Sequence, residues 1–570
     1  MKLFPSLDWI RNYDKSWLSG DISAGLTVGV MLIPQGMAYS MLAGLPPIHG
    51  LYAVTIPLIV YALMGTSRQL AVGPVAMVSL LISSGVGQLA AAGTEEYISY
   101  AILLALMVGV LQLLMGIFRI GFLVNFLSHP VIAGFTSAAA VVIGFSQLKH
   151  ILGVKTEGES VIGIFKQIMA QVQDFHFISI MIGMGSIITL ILVKKLHKKI
   201  PAPLVVVTLG ILIVSVFALD QSGVKIVKEI PSGFPMPALP IFDWGAIQKL
   251  LPTAFAISFV GFMESIAVAK AIQAKHKDYE LSSNQELIAL GTANIVASAL
   301  KAFPITGGFS RTAVNDQAGA KTGLASIISA FLIILTLLFL TSYFYFLPNA
   351  VLAAIILVAV YGLIDFKEAK HLWHADRTDF ALFLVAALGT LLLGIEEGIL
   401  VGVVLSMGIL IYRVSYPHMA ELGRVPGTTL FRNVDRFENL EMVEGVAILR
   451  IDAPIFFANL SNIQERIQKL RSDRPQTKKI IIDAAAVSHL DSSGAHMLHD
   501  LHESLKEKGI QLHIAQAIGP VRDAMQTNSL IEKIGADHFH PNLESAVRLD
   551  DTFTQKDRKA LTLQTNIKQP

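Results

Sequence analysis

The chain is 570 residues long, 53% apolar and only 15% charged, with a mean hydropathy of +0.60 and a net charge of +2. A soluble chain carries about 25% charged residues, so this composition excludes a plain multidomain soluble protein, a collagen and a disordered chain. The small net charge implies no nucleic acid or other polyanion as partner. The absence of cysteine excludes disulfides, thiolate metal sites and cysteine nucleophiles.

The charge is unevenly spread: 39 charged residues lie from Ala420 onward. That stretch has the charge density of a soluble domain, whereas the preceding part falls to less than half of it. The chain therefore reads as a large domain embedded in a lipid bilayer, followed by a soluble tail.

In chain order, Met1–Trp17 is polar and carries no apolar run before a small-residue cleavage site, so no cleaved signal is expected. Trp9 and Trp17 suit the headgroup level of a lead-in helix. Apolar runs long enough to cross hydrocarbon fall near 21–40, 50–65, 97–117, 130–148, 177–193, 203–219, 250–270, 285–301, 322–342, 348–364, 378–394 and 396–413. Two more segments, 73–89 and 304–319, are apolar but interrupted by Gly, Pro and polar residues. Counting them gives about fourteen crossings.

Arg68, Arg119, the basic run at 194–199, Lys270, Lys275, Lys277, Lys367, Lys370, Arg377 and Arg413 fall in loops on one side. Three loops on the other side, 91–97, 343–349 and 395–398, hold no Lys or Arg. The basic side is expected to be cytoplasmic, together with the N-terminus and the tail. Beyond the spans, 446–452, 478–484 and 509–515 read as buried strands. Segments 459–470 and 495–505 have helical spacing. This alternation predicts a small α/β domain.

The two interrupted segments carry the functional signal. Non-helical backbone at membrane depth persists only where it lines a cavity or is buried in protein. Two breaks in matching places of two halves point to a transporter's binding site. Each follows a span with one polar residue inside it, Gln35 in the first half and Glu264 in the second. A helix that starts at mid-membrane aims free N–H groups and positive partial charge into the cavity, which suits an anion. Ser310 and Thr312 would add hydroxyl donors, and Arg311 a positive charge. A mid-membrane carboxylate costs about 2.5–3.5 kcal/mol on insertion scales. Glu264 is therefore a candidate for carrying a coupled proton, with an interhelical hydrogen bond or an ion pair to Arg311 as the plainer readings.

At these residues the sequence resembles the SulP (sulfate permease) family. The matching stretches are GVMLIPQGMAYSMLAGLPPIHGLY (29–52), GTSRQLAVGPVAMVSL (65–80) and TGGFSRTAVNDQAGAKT (306–322). The tail resembles a STAS domain through APIFFANL (453–460) and DSSG (491–494). The resemblance implies two inverted seven-helix repeats, similar to nucleobase transporters, with a small cytoplasmic α/β STAS domain. It divides the chain into an N-terminal segment (1–20), a transport domain of core and gate (21–415), a linker (416–437), the STAS domain (438–552) and a polar tail (553–570). It implies an anion bound by Val75, Ala76, Gly308, Phe309, Ser310 and Arg311, with Gln35 and Tyr39 lining the cavity. It also implies an elevator-type movement, a homodimer, and cation coupling at Glu264. Sodium-coupled bicarbonate members carry a hydroxyl residue one turn after the acid. This chain has Val268 there, which favours protons.

The expected function is secondary transport of sulfate or bicarbonate in a bacterial-type inner membrane, without cofactor, metal or enzymatic chemistry. C4-dicarboxylate uptake, an uncoupled anion channel and a scaffold acting through a STAS-binding protein are the alternatives. Ser493 matches a phosphorylated serine of anti-sigma-antagonist STAS proteins, although DSSG also reads as a plain helix cap. His496, His499 and His502 recur every three residues and read as a solvated face. Gly394, Gly398 and Gly402 allow close helix packing, within the chain by default.

Overall fold

The computed structural model describes residues 5–122, 128–154, 161–196, 201–238, 240, 242–273, 275–276 and 278–548. Part of the basic run at 194–199, Lys277 and the polar tail (553–570) lie outside the described residues. Contacts divide the chain into two units, Met1–Ser406 and Met407–Pro570.

The first unit is helical. Its main elements are α1 (Leu18–Leu42), α2 (Ile56–Met64), the short strand β1 (Val72–Gly73), α3 (Ala76–Gly87), α4 (Glu95–Ile117), α5 (His129–Leu152), α6 (Phe177–Leu196) and α7 (Ala202–Val216). There follow α8 (Trp244–Gln273), α9 (Ser283–Ala299), the short strand β2 (Thr306–Gly307), α10 (Phe309–Gln317), α11 (Leu324–Phe339), α12 (Asn349–Tyr361), α13 (Arg377–Leu392) and α14 (Ile395–Ser415). Among the described residues, six helical stretches are long and apolar enough to cross a membrane, and five further apolar helices are shorter. The run expected as one span over 50–65 is two pieces, Pro47–Tyr52 and α2. Thr55 leaves the helical region at φ −101 and ψ −113, and Pro57 sits in the first turn of the restart.

Helices of the first half pack on helices of the second. α1 runs along α11, and α4 along α9. Small residues set the second contact: a Cβ at Gly109 would lie 2.8 Å from the Gly291 carbonyl oxygen, and one at Gly291 2.8 Å from that of Gly109. Gln112 and Asn294 hydrogen-bond across this seam at 3.0 Å. Gly398 and Gly402 pack inside the chain, against Thr390 and Val131.

Two fully buried carboxylates fasten loops of one half to helices of the other. Asp21, near the start of α1, accepts from Lys321 N (2.7 Å), Thr322 N (3.0 Å) and Thr322 Oγ1 (2.6 Å). Glu286, near the start of α9, accepts from Thr66 N (2.6 Å), Ser67 N (3.0 Å), Thr66 Oγ1 and the Tyr61 hydroxyl. A buried carboxylate is tolerated when its lone pairs are filled in this way.

The second unit is a six-stranded sheet with helices. Its elements are β3 (Met419–Arg424), β4 (Phe431–Asn433), β5 (Val446–Ile451), α15 (Leu460–Asp473), β6 (Lys479–Asp483), α16 (Ser492–Lys506), β7 (Gln511–Ala515), α17 (Gly519–Thr527), β8 (Phe539–His540) and α18 (Leu543–Val547). The strand order is β4-β3-β5-β6-β7-β8, parallel from β5 to β8 and antiparallel at the β3 and β4 edge. The segment expected as a linker (416–437) holds β3 and β4. Ala420 and Leu422 are buried on one face of β3, while β3 pairs with β5.

Replacing Glu286 with Ala takes the acceptor from four donors, at about 1–3 kcal/mol for each left unsatisfied in the interior. The unfolding midpoint of Glu286→Ala in detergent should fall by several degrees, and that of exposed Glu280→Ala should not move. Scanning fluorimetry of both variants checks this.

Candidate functional site

β1 and β2 form a two-stranded antiparallel ladder, Val72 opposite Gly307 and Gly73 opposite Thr306. Each strand is followed within two residues by a helix, α3 after β1 and α10 after β2. Antiparallel chains leave a ladder in opposite directions, so the two helices diverge while both N-termini remain at the crossing. This backbone would be costly if left unpaired, and side chains from three helices satisfy it. Asn294 of α9 holds both polar groups of Ile305, accepting from its N–H (2.7 Å) and donating to its carbonyl (3.0 Å). Ser265 of α8 accepts from Gly307 N at 2.8 Å and shares a 2.6 Å hydrogen bond with Thr306 Oγ1. Asn315 of α10 donates to Gln69 O at 2.8 Å.

The helix starts themselves are uncapped. Val75 and Gly308 are the N-cap residues, both extended, and neither start receives a side-chain hydrogen bond. The first backbone bonds at each start run from Ser79 N to Val75 O and from Thr312 N to Gly308 O, both 3.0 Å. The N–H groups of Ala76, Met77 and Val78, and of Phe309, Ser310 and Arg311, therefore have no acceptor inside their helices.

Arg311 is 2% exposed. Its Nη1 donates to Pro74 O at 2.6 Å, which ties the start of α10 to the residue just before α3. Its Nε and Nη2 have no hydrogen-bond partner, and neither do buried Gln35 Oε1, Ser79 Oγ and Glu264 Oε2. Arg311 interacts electrostatically with Glu264 and Tyr39. A guanidinium with unfilled donors, beside two positive helix ends, has the chemistry that suits an oxyanion. The nearby carboxylate has an open acceptor oxygen.

The crossing brings together Val75, Ala76, Gly308 and Arg311, with Tyr39 and Glu264 in electrostatic reach of the guanidinium. Gln35 and Tyr39 are buried on α1. Phe309 and Ser310 stand exposed on the first turn of α10, Phe309 at 61%. Thr312 differs from expectation: its hydroxyl donates to Gly308 O and accepts from Ala71 N, so it braces the backbone. Sequence reasoning missed Asn294, Ser265 and Ser79. A lone Asn inside the apolar run 285–301 was the available signal for Asn294.

In the second unit, Asp491 caps α16 by accepting from Gly494 N at 2.6 Å, and Ser493 is exposed on the first turn. The three spaced histidines do not form one solvated face. His496 is exposed, whereas His502 is buried.

A model of the sulfate permease family matches residues 18–386, and a STAS domain model matches residues 439–546. "Sulfate transporter 4.1, chloroplastic" of Arabidopsis thaliana is 42% identical over 97% of this chain and 83% of its own length. "High affinity sulfate transporter 2" of Stylosanthes hamata is 36% identical over 96% and 86%. The murine Slc26a9 anion transporter, solved in the inward-facing state, superposes with a TM-score of 0.90 at 28% identity, over 96% of this chain and 93% of its own. The transmembrane domain of the cyanobacterial bicarbonate transporter BicA shares the fold, with a TM-score of 0.60 at 23% identity over 69% and 97%.

Gly308 makes room for the guanidinium: a Cβ there would lie 2.7 Å from Arg311 Nη2 and 2.9 Å from its Cζ. The side chain can move aside, so Gly308→Ala should fold normally. Displacing a charge-assisted donor should weaken the binding of an oxyanion such as sulfate about 10- to 100-fold. Isothermal titration with sulfate, beside an unchanged melting temperature, checks this.

Proposed function

This chain belongs to the sulfate permease family, and we propose that it carries a small inorganic oxyanion, sulfate in the first place, across a membrane by proton-coupled secondary transport. The observation that carries the reading is the crossing itself. Two uncapped helix starts meet there with Arg311, whose Nε and Nη2 are unfilled, and Glu264 is in electrostatic reach. The relatives named as sulfate transporters favour sulfate over bicarbonate.

Glu264 would take the proton. Protonation cancels the charge that opposes an anion beside it, so anion and proton favour one another's binding. A sodium site would need further oxygens near Glu264. Val268 supplies none, and the Ser265 hydroxyl is engaged with Thr306 and Gly307. The carrier movement in this reading is an elevator-type shift of a core domain against a gate domain.

The remaining architecture belongs to the same proposal. It comprises about fourteen crossings in two inverted seven-helix repeats and a homodimer in a bacterial-type inner membrane, with the N-terminus and STAS tail cytoplasmic. Ser493 is its exposed candidate for phosphorylation. No enzymatic step is assigned.

Glu264→Gln mimics the protonated acid and cannot release a proton. In proteoliposomes with radiolabelled sulfate, this variant should lose accumulation driven by a pH gradient while sulfate exchange at equal pH persists. Retained proton-driven accumulation would sink the coupling role. Absence of uptake of sulfate, bicarbonate and dicarboxylates by the unaltered protein, under any gradient, would favour the scaffold reading.

A further inference from the structure

The tail holds a second cluster of titratable groups that transport does not use. His513 of β7, His540 of β8, His538 of the turn before β8 and His502 of α16 form one group of rings. His513 Nδ1 and His540 Nε2 share a hydrogen bond of 2.8 Å. His513 stacks on His538 with centroids 4.4 Å apart and planes 12° apart, and His502 meets His538 edge-on at 5.6 Å. His502, His513 and His540 are buried. His513 Nε2 also contacts Gln511 Oε1, and His538 Nδ1 contacts Leu512 O at 2.6 Å.

Every other element packed around the cluster adds charge. β6 contributes buried Lys479, whose Nζ donates to Ala546 O (3.1 Å) and Arg548 O (3.4 Å) at the end of α18. α16 contributes His499, Glu503 and Lys506 around His502, and the turn contributes Asp537 beside His540. The two carboxylates, Glu503 and Asp537, are exposed. They are therefore screened by solvent, whereas Lys479 is not.

We propose that this four-histidine cluster is an acid-operated latch: charging it releases β8 and α18 from the edge of the tail's sheet. The geometry admits one shared proton between His513 and His540. Whichever ring donates, charging both rings sets two donors against each other, and each added proton puts positive charge beside Lys479. β8 is the weakest point of the sheet, held to β7 by only two residue pairs, Ile514 with Phe539 and Ala515 with His540. Releasing it bares the edge of β7 and uncovers the apolar face under Leu543, Ala546 and Val547 of α18.

The direction of the pH effect follows from burial. Burial first, and Lys479 next, push His513 down to about 2 and His540 down to about 4. A free imidazole titrates near 6.5. Above that value His513 and His540 are neutral whether latched or open, so they do not bias the latch. Below it, each of the two rings raises the open fraction about tenfold per pH unit, until the latched-state value is reached. At pH 5.5 the two together shift opening about 100-fold.

The test is hydrogen exchange by mass spectrometry on the full-length protein in lipid nanodiscs, at pH 7.5 and 5.5, corrected for intrinsic exchange. Amides of 511–515 and 536–548 should lose about 100-fold protection at the lower pH, while 446–451 keeps its own. His513→Gln should reduce that loss to about tenfold. Unchanged protection of 511–515 and 536–548 in the unaltered protein would overturn the latch, and so would an equal loss at 446–451. The unaltered protein decides alone if His513→Gln does not fold.

Discussion

Backbone polar groups cannot be left unpaired where water is absent, and the site is built around that constraint. Two breaks in the helices, at 72–75 and 305–308, form the site. Each break exposes N–H and C=O groups that would cost several kcal/mol if buried alone. Pairing one break with the other meets part of the need, through the β1 and β2 ladder. Asn294, Ser265, Thr312, Asn315 and Arg311 meet most of the rest. The two helix starts stay uncapped, and Arg311 Nε and Nη2 and Glu264 Oε2 stay without a partner. The same economy that braces the crossing also leaves unfilled donors at its centre, the feature on which the proposed anion site rests.

Charge is handled by the same logic. Asp21 and Glu286 are fully buried carboxylates, and each is surrounded by backbone N–H and hydroxyl donors from the opposite half. They act as fasteners because all their strong acceptor positions are used. Glu264 keeps an oxygen without a donor and sits within electrostatic reach of Arg311. Glu264, and not its two buried counterparts, is therefore the carboxylate with an oxygen open to a further partner.

The tail shows where a residue pattern misleads. His496, His499 and His502 have a helical spacing that suggests a solvated face. Only the first is strongly exposed, and His502 turns inward to meet His538, which stacks in turn on His513 of β7. Those partners are distant in sequence, so no local spacing could join them. β3 and β4 were hidden for a related reason. They are short, interrupted by Gly and charge, and become strands by pairing at a sheet edge.

The sequence alone determined the division into an apolar and a charged part. It also located both helix breaks and isolated Glu264, because the cost of polar groups in hydrocarbon leaves few positions for them. Residues 73–76 and 306–309 were legible since Gly and Pro interrupt an apolar run in a way local chemistry can read. Only the tertiary structure decided what these residues do to one another. It turned Arg311 back onto Pro74, used the Thr312 hydroxyl as a brace, and recruited Asn294 to hold Ile305. These bonds join positions up to 237 residues apart. Their partners are chosen by which buried backbone group lacks a mate once the helices have packed.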